Sequence, residues 1–172
     1  MMNIYRALLF CSMLLCTACA KTAGIPPAEL TLSSFQRGAN NLFFVDFQST
    51  VDLENAFNDY EGVNQLTPMI ICSLDRDTEF SSEHSINIRA EGRVRAGSEQ
   101  KPNYRFVSDL VFYNTNPDGT QRDQNDYEAI KPLLVAQAAI PCKVRVTAYG
   151  YKAYFTNFLY IPSSLMIEQM FR

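Results

Sequence analysis

The chain has 172 residues, 47% of them hydrophobic, with 15 basic and 18 acidic side chains, one histidine and a formal charge of −3. A mildly acidic chain has no electrostatic reason to bind nucleic acid, and one histidine leaves little material for a zinc centre or a histidine-based nucleophile. The length suits one domain with its own core, and abundant Tyr and Phe without any Trp suit a β-rich fold more than a helical bundle.

Arg6 supplies a positive start, residues 7–15 form a compact apolar run, and Thr17-Ala18 stand directly before Cys19. This is the layout of a secretory signal peptide, too short for a stable membrane span. It resembles the lipobox of bacterial lipoproteins, in which cleavage leaves a cysteine that carries the lipid. The resemblance implies a leader over residues 1–18 and acylation of Cys19, palmitate included. Cys16 is the weaker alternative, because bulky Leu14-Leu15 precede it; an ordinary signal peptide that contains cysteines is the other. Losing the leader removes Arg6 and moves the formal charge from −3 to −4. In lipoproteins of this kind an Asp after the cysteine favours the inner membrane. Here Ala20 and Lys21 follow, which implies the periplasmic side of the outer membrane. Residues 19–34, with Pro26-Pro27 and little periodicity, read as a tether, and residues 35–172 as a single globular domain.

Residues 41–48 read as a first strand. Residues 52–60, with apolar side chains spaced by three and four, suggest a short helix or turn. Residues 69–74 form a buried strand and 75–83 a charged loop. Residues 85–96 alternate cleanly: Ile86, Ile88, Ala90, Gly92 and Val94 on one face, Asn87, Arg89, Glu91, Arg93 and Arg95 on the other. This period of two means one buried and one solvated face. A turn-rich stretch leads to a strand over 104–114, so the two predict an antiparallel hairpin. Residues 114–126 read as a loop in which Asp118-Gly119 favours a tight turn. A short helix within 127–139 is confined by Pro132 to a start near Lys131. Residues 142–149 form a strand with Cys142, Val144, Val146 and Ala148 inward and Lys143, Arg145, Thr147 and Tyr149 outward. Gly150 permits a turn, residues 153–161 return as a strand, and a serine after Pro162 caps a terminal helix with Met166, Ile167, Met170 and Phe171 on one face. The fold class predicted is mostly β, an antiparallel sheet or β-sandwich with one or two short helices; an α+β layer stays open.

Of five cysteines, Cys11 and Cys16 leave with the leader and Cys19 takes the lipid. Cys72 and Cys142 remain as an even pair in an oxidising compartment, which predicts a disulfide between two core-facing strands.

No catalytic residue, metal ligand or cofactor is expected. His84 has neighbours Ser82, Glu83 and Ser85 but no Gly-x-Ser-x-Gly elbow, and reads as a loop histidine. Asp118, Asp123, Asp126 and Glu128 are oxygen-rich, yet lack the alternation and sixth-position Gly of a Ca²⁺ loop, and read as a solvated acidic loop. Two surfaces suit a partner. One is the basic stripe of Arg89, Arg93 and Arg95; the other is the Tyr-rich hairpin with Tyr149, Tyr151 and Tyr154, whose rings are either an interface or covered by the terminal helix.

The strand Met69-Ile70-Ile71-Cys72-Ser73, the arginine-rich strand after it, and Ile140-Pro141-Cys142-Lys143-Val144-Arg145-Val146 before a Tyr-rich hairpin resemble small bacterial periplasmic lipoproteins. Some of these are immunity proteins beside type VI secretion lipase effectors. The resemblance implies a non-enzymatic, membrane-anchored protein that binds and neutralises a secreted phospholipase toxin. The alternative is a structural outer-membrane lipoprotein of a secretion or envelope assembly. Either reading expects a protein partner, a membrane contact through the lipid, and no nucleic acid.

Overall fold

The computed structural model describes residues 20–39, 42–60, 64–97, 102–116, 118–123 and 127–172. The leader, Cys19 and Asp126 lie outside the described residues. The strands are β1 (Leu30–Arg37), β2 (Phe43–Ser49), β3 (Met69–Ser73), β4 (Ile88–Ala96), β5 (Tyr104–Thr115), β6 (Gln121–Asp123), β7 (Ala139–Val146), β8 (Tyr154–Phe155) and β9 (Leu159–Pro162). They form one antiparallel sheet in the order β1-β2-β5-β4-β3-β7-β8, with β6 on β5 and β9 on β7. β8 pairs with Arg145 and Val146 of β7, and β9 with the opposite half of the same strand. The two are halves of one edge strand, so the sheet is an eight-strand, curled half-barrel.

The curl has a visible closure. Tyr154 Oη donates to the Pro26 carbonyl and accepts from the Ala28 amide, both at 2.8 Å. The Asn157 amide donates to the Ala28 carbonyl at 3.0 Å. The chain leading into β1 at one sheet edge is thereby bonded to the β8–β9 edge at the other. Two short helices, α1 (Lys131–Val135) and α2 (Ser163–Met170), follow the 3-10 turn Tyr127–Ala129 and β9 respectively. α2 buries Met166 and Met170 in the core, and Gln169 Oε1 accepts from the Arg37 amide of β1.

The core fills the concave face with Phe35, Phe43, Phe47, Phe57 and Phe106 among its largest buried side chains. Phe43 stacks on Phe35 and meets Phe112 edge-on. Cys72 and Cys142 are fully buried and directly paired across β3 and β7, and they form the disulfide with a Cα–Cα distance of 4.0 Å. A bridge over a sequence separation of 70 contributes about 4 kcal/mol in the chain-entropy account.

Mostly antiparallel β architecture is what alternation predicts, and β2, β3, the β4–β5 hairpin and β7 lie where their patterns place them. Several local readings are corrected or narrowed. The segment read as a tether is held to the fold over its described residues: Lys21 bridges to Tyr151, Ala28 is fully buried, and from Leu30 the chain pairs along β2 as β1. Of the helix or turn expected over residues 52–60, the structure shows the turn. The loop after β5 contains β6, which doubles back on Tyr113–Thr115 through a turn at Gly119, φ 83°. The N-cap of α2 is Pro162, not a serine, and it makes no side-chain cap bond. Ser163 is buried inside the first turn, with its hydroxyl unpartnered among the described residues.

Candidate functional site

The outer face of the sheet, turned away from the core, carries the charged side chains of the central strands. Register puts Met69 of β3 directly between Arg93 of β4 and Arg145 of β7, and Ile71 between Glu91 and Lys143. Two strand spacings separate the outer arginines, about 10 Å at the backbone.

One half of this face is roofed. Residues 75–87 leave β3 through Arg76, whose φ of 67° turns the chain sharply, and fold back over the sheet. Asp75 holds the base of the roof, accepting from Ser73 Oγ at 2.9 Å and from the Ile88 amide at 3.3 Å. Asp77 accepts from the Glu79 amide and meets His84 Nε2 at 2.5 Å. That contact raises the His84 pKa above its usual value, and the same hydrogen bond lowers that of Asp77. Phe80 packs edge-on against Phe158, and Lys143 Nζ sits 4.4 Å from the Phe158 ring centre. Beneath the roof, Ile71 and Ser73 are buried although they point away from the core. Between roof and sheet lies a hollow of about 380 Å³, lined by Glu79, His84, Glu91, Arg145 and Phe155 among others. Past Glu91 a second hollow of about 320 Å³ opens, lined by Met69, Arg93, Arg95, Asp109 and Tyr113.

The three arginines of the predicted stripe have different fates. Arg89 is only 7% exposed. Its guanidinium is used up by Glu91 at 2.9 Å, the Ile86 carbonyl, Thr115 Oγ1 and the face of Tyr113. The expectation of a solvated Arg89 is therefore corrected: the roof and the β5 end cover it, and it holds β4 to them. Arg95 is exposed and pairs with Asp109 at 3.0 Å. Arg93 is exposed and has no ion-pair partner among the described residues, and half-buried Arg145 has none either. Two unpaired guanidiniums flanking an apolar thioether make a surface for carboxylate or phosphate groups, which arginine binds through paired N–H donors.

The tyrosines also separate. Tyr149 is 85% exposed. Tyr151 packs against Phe57 and Tyr60 with ring centres 5.6 and 5.3 Å away. Tyr154 is half-buried and committed to the closure at Pro26 and Ala28, and burial raises its pKa. The terminal helix does not cover this group; α2 lies against β1 and α1. Sequence reading missed Arg145 and Met69 as site residues. Alternation placed Arg145 outward, but nothing local says that β4 and β7 flank the same strand.

Of the acidic run, Asp118 and Glu128 have described side chains, and each is engaged locally. Asp118 accepts from the Thr120 amide and hydroxyl within its own turn, and Glu128 stands 3.7 Å from Lys131. Among the described residues no group of His, Cys, Asp and Glu side chains is placed to hold a metal ion.

Compared with protein-family models, with curated proteins and with solved structures, the chain finds no match.

Proposed function

We propose that this chain is a lipid-anchored periplasmic binding protein, and specifically an immunity protein that docks on a secreted phospholipase toxin. The observation that carries the binding reading is the outer face at Arg93, Met69 and Arg145, where two unpaired guanidiniums border two hollows. Charged groups left unpaired beside an apolar centre suit a partner that supplies acidic side chains at the rim and covers Met69. The lipobox-like residues before Cys19 support the anchor, and the Cys72–Cys142 disulfide is compatible with an oxidising compartment.

The test is neutralisation. The lipidated protein is mixed with the phospholipase encoded by an adjacent reading frame, and lipid hydrolysis and binding stoichiometry are measured together. The expected result is one-to-one binding with loss of hydrolysis, weakened when Arg93 and Arg145 are both replaced by Gln. A folded, active phospholipase that neither binds nor loses activity overturns the immunity reading and puts the structural envelope lipoprotein in front.

A further inference from the structure

The sequence reads as though a flexible tether separates lipid from fold, but the chain is tied down almost at once. The Lys21 amide donates to the Gly150 carbonyl at 3.0 Å, and the Lys152 amide donates to the Lys21 carbonyl at 2.8 Å, so Lys21 forms a parallel bridge with Tyr151. Cys19 precedes Lys21 by two residues, and two residues reach at most about 7 Å. If Cys19 bears the acyl chains, the Gly150 end of the fold has no slack with which to leave the bilayer.

The composition of that end fits the contact. Gln65 pairs with Ala148, the Leu66 amide donates to the Thr147 carbonyl, and the Tyr149 amide to the Asn64 carbonyl. In this short antiparallel ribbon Ala148 is turned inward, which places Tyr149 and Leu66 together on the opposite side. They are 85% and 64% exposed. Lys21 and Lys152 flank the turn, exposed and without an ion-pair partner among the described residues. Gly150 takes φ 80° to make the turn. A phenol ring and an isobutyl group beside two ammonium groups is the residue set that settles at a phospholipid interface: the ring lies at headgroup level and lysines reach the phosphates.

We propose that the Gly150 end of the fold rests on the phospholipid surface that anchors the chain, with Tyr149 and Leu66 among the headgroups and Lys21 and Lys152 against lipid phosphates. This rests on the reading of Cys19 as the lipid-bearing residue. It fixes orientation: β7 rises from the bilayer with its Ala139 end outermost, and α1 is carried to the far end of the protein.

The chain contains no Trp, so a single introduced Trp reports its own depth. Full-length Tyr149→Trp and Val135→Trp variants are expressed through the native leader. Each is purified in its lipidated form and reconstituted into vesicles of phosphatidylethanolamine and phosphatidylglycerol that carry brominated acyl chains. Val135 is 68% exposed, at the end of α1. The expected result is quenching several-fold stronger at position 149 than at 135, reduced when Lys21 and Lys152 are both changed to Glu. Peptide mass spectrometry locates the lipid independently. Lipid on Cys19 with equal or absent quenching at the two positions overturns the proposal and leaves the anchor reading standing. No lipid on Cys19 overturns the anchor reading and this proposal with it.

Discussion

His84 and Tyr154 show what single polar contacts do in this fold. His84 meets Asp77 within the roof over the outer face, and that hydrogen bond raises the His84 pKa and lowers that of Asp77. A raised histidine pKa gives stability that is fully present below the unfolded value of about 6.5 and is lost as pH rises through the folded value. A lowered Asp pKa gives stability present above about 3.9 and lost as pH falls through the folded value. The roof is therefore held best in mildly acidic solution. His84 is the chain's single histidine, so its ring protons can be followed by NMR without assignment. Titration should give a midpoint above 6.5 in the wild type, returning toward it in Asp77→Asn; equal midpoints in both proteins would refute the contact. Tyr154 is a separate case. Its hydroxyl serves both Pro26 and Ala28, so Tyr154→Phe leaves an amide without its acceptor and a carbonyl without its donor. The expected loss is about 1–3 kcal/mol in urea unfolding, at an unchanged denaturant slope. A variant as stable as the wild type would mean that the edge closure does not depend on this side chain.

At the scale of elements, the hairpin of β4 and β5 depends on Gly92. A Cβ there would collide with the Asp109 carbonyl oxygen and the Ser108 hydroxyl of β5. The absence of a side chain lets the two strands approach closely, one of the recognised uses of glycine within a strand. Gly92→Ala should cost about 1–3 kcal/mol, as overpacking does, read as a lower unfolding midpoint; no change would show that β5 gives way freely. The sequence revealed Gly92 only as an inward position of an alternating strand, because the clash comes from a neighbour no local pattern names. Strands with a clean period of two were legible for a simple reason: one face is buried and the other is not. β1 was not, since its burial is partial and irregular, with a register shift between Leu32 and Ser34. β6 pairs over a few residues and carries no apolar pattern of its own. The Cys72–Cys142 bridge was legible from the cysteine count and the expected compartment, without any knowledge of strand order. The outer-face site was legible only in halves: the arginines of β4 showed as a stripe, while their convergence with Arg145 needed β3 between them.

Across the whole molecule, the curl divides the surface by direction. The concave side is filled, the Gly150 end faces the proposed bilayer, and the roof of residues 75–87 covers the half of the outer face farther from that end. The half nearer the Gly150 end, at Arg93, Met69 and Arg145, is left open. Arg145 stands two alternating steps before Tyr149 on the same outward side, about 13 Å along the chain. On the proposed orientation, a partner docked on this face sits beside the membrane, which suits the proposed phospholipase partner. The net charge of the chain is negative, so these two guanidiniums form a local field opposed to the global one. Such fields act mainly on encounter, and their reach is about 10 Å at 0.1 M salt. Replacing both Arg93 and Arg145 with Gln should slow association with the proposed toxin partner about tenfold at low salt and much less at high salt, with a smaller change in dissociation rate. Arg89→Gln belongs to a different class: its guanidinium is buried against Glu91, Ile86 and Thr115, so that change should lower stability before it alters kinetics. Stopped-flow binding across a salt series separates the two. Association rates that stay equal to the wild type at every salt concentration would remove the Arg93–Arg145 face as the docking surface, whatever the toxin's affinity proves to be.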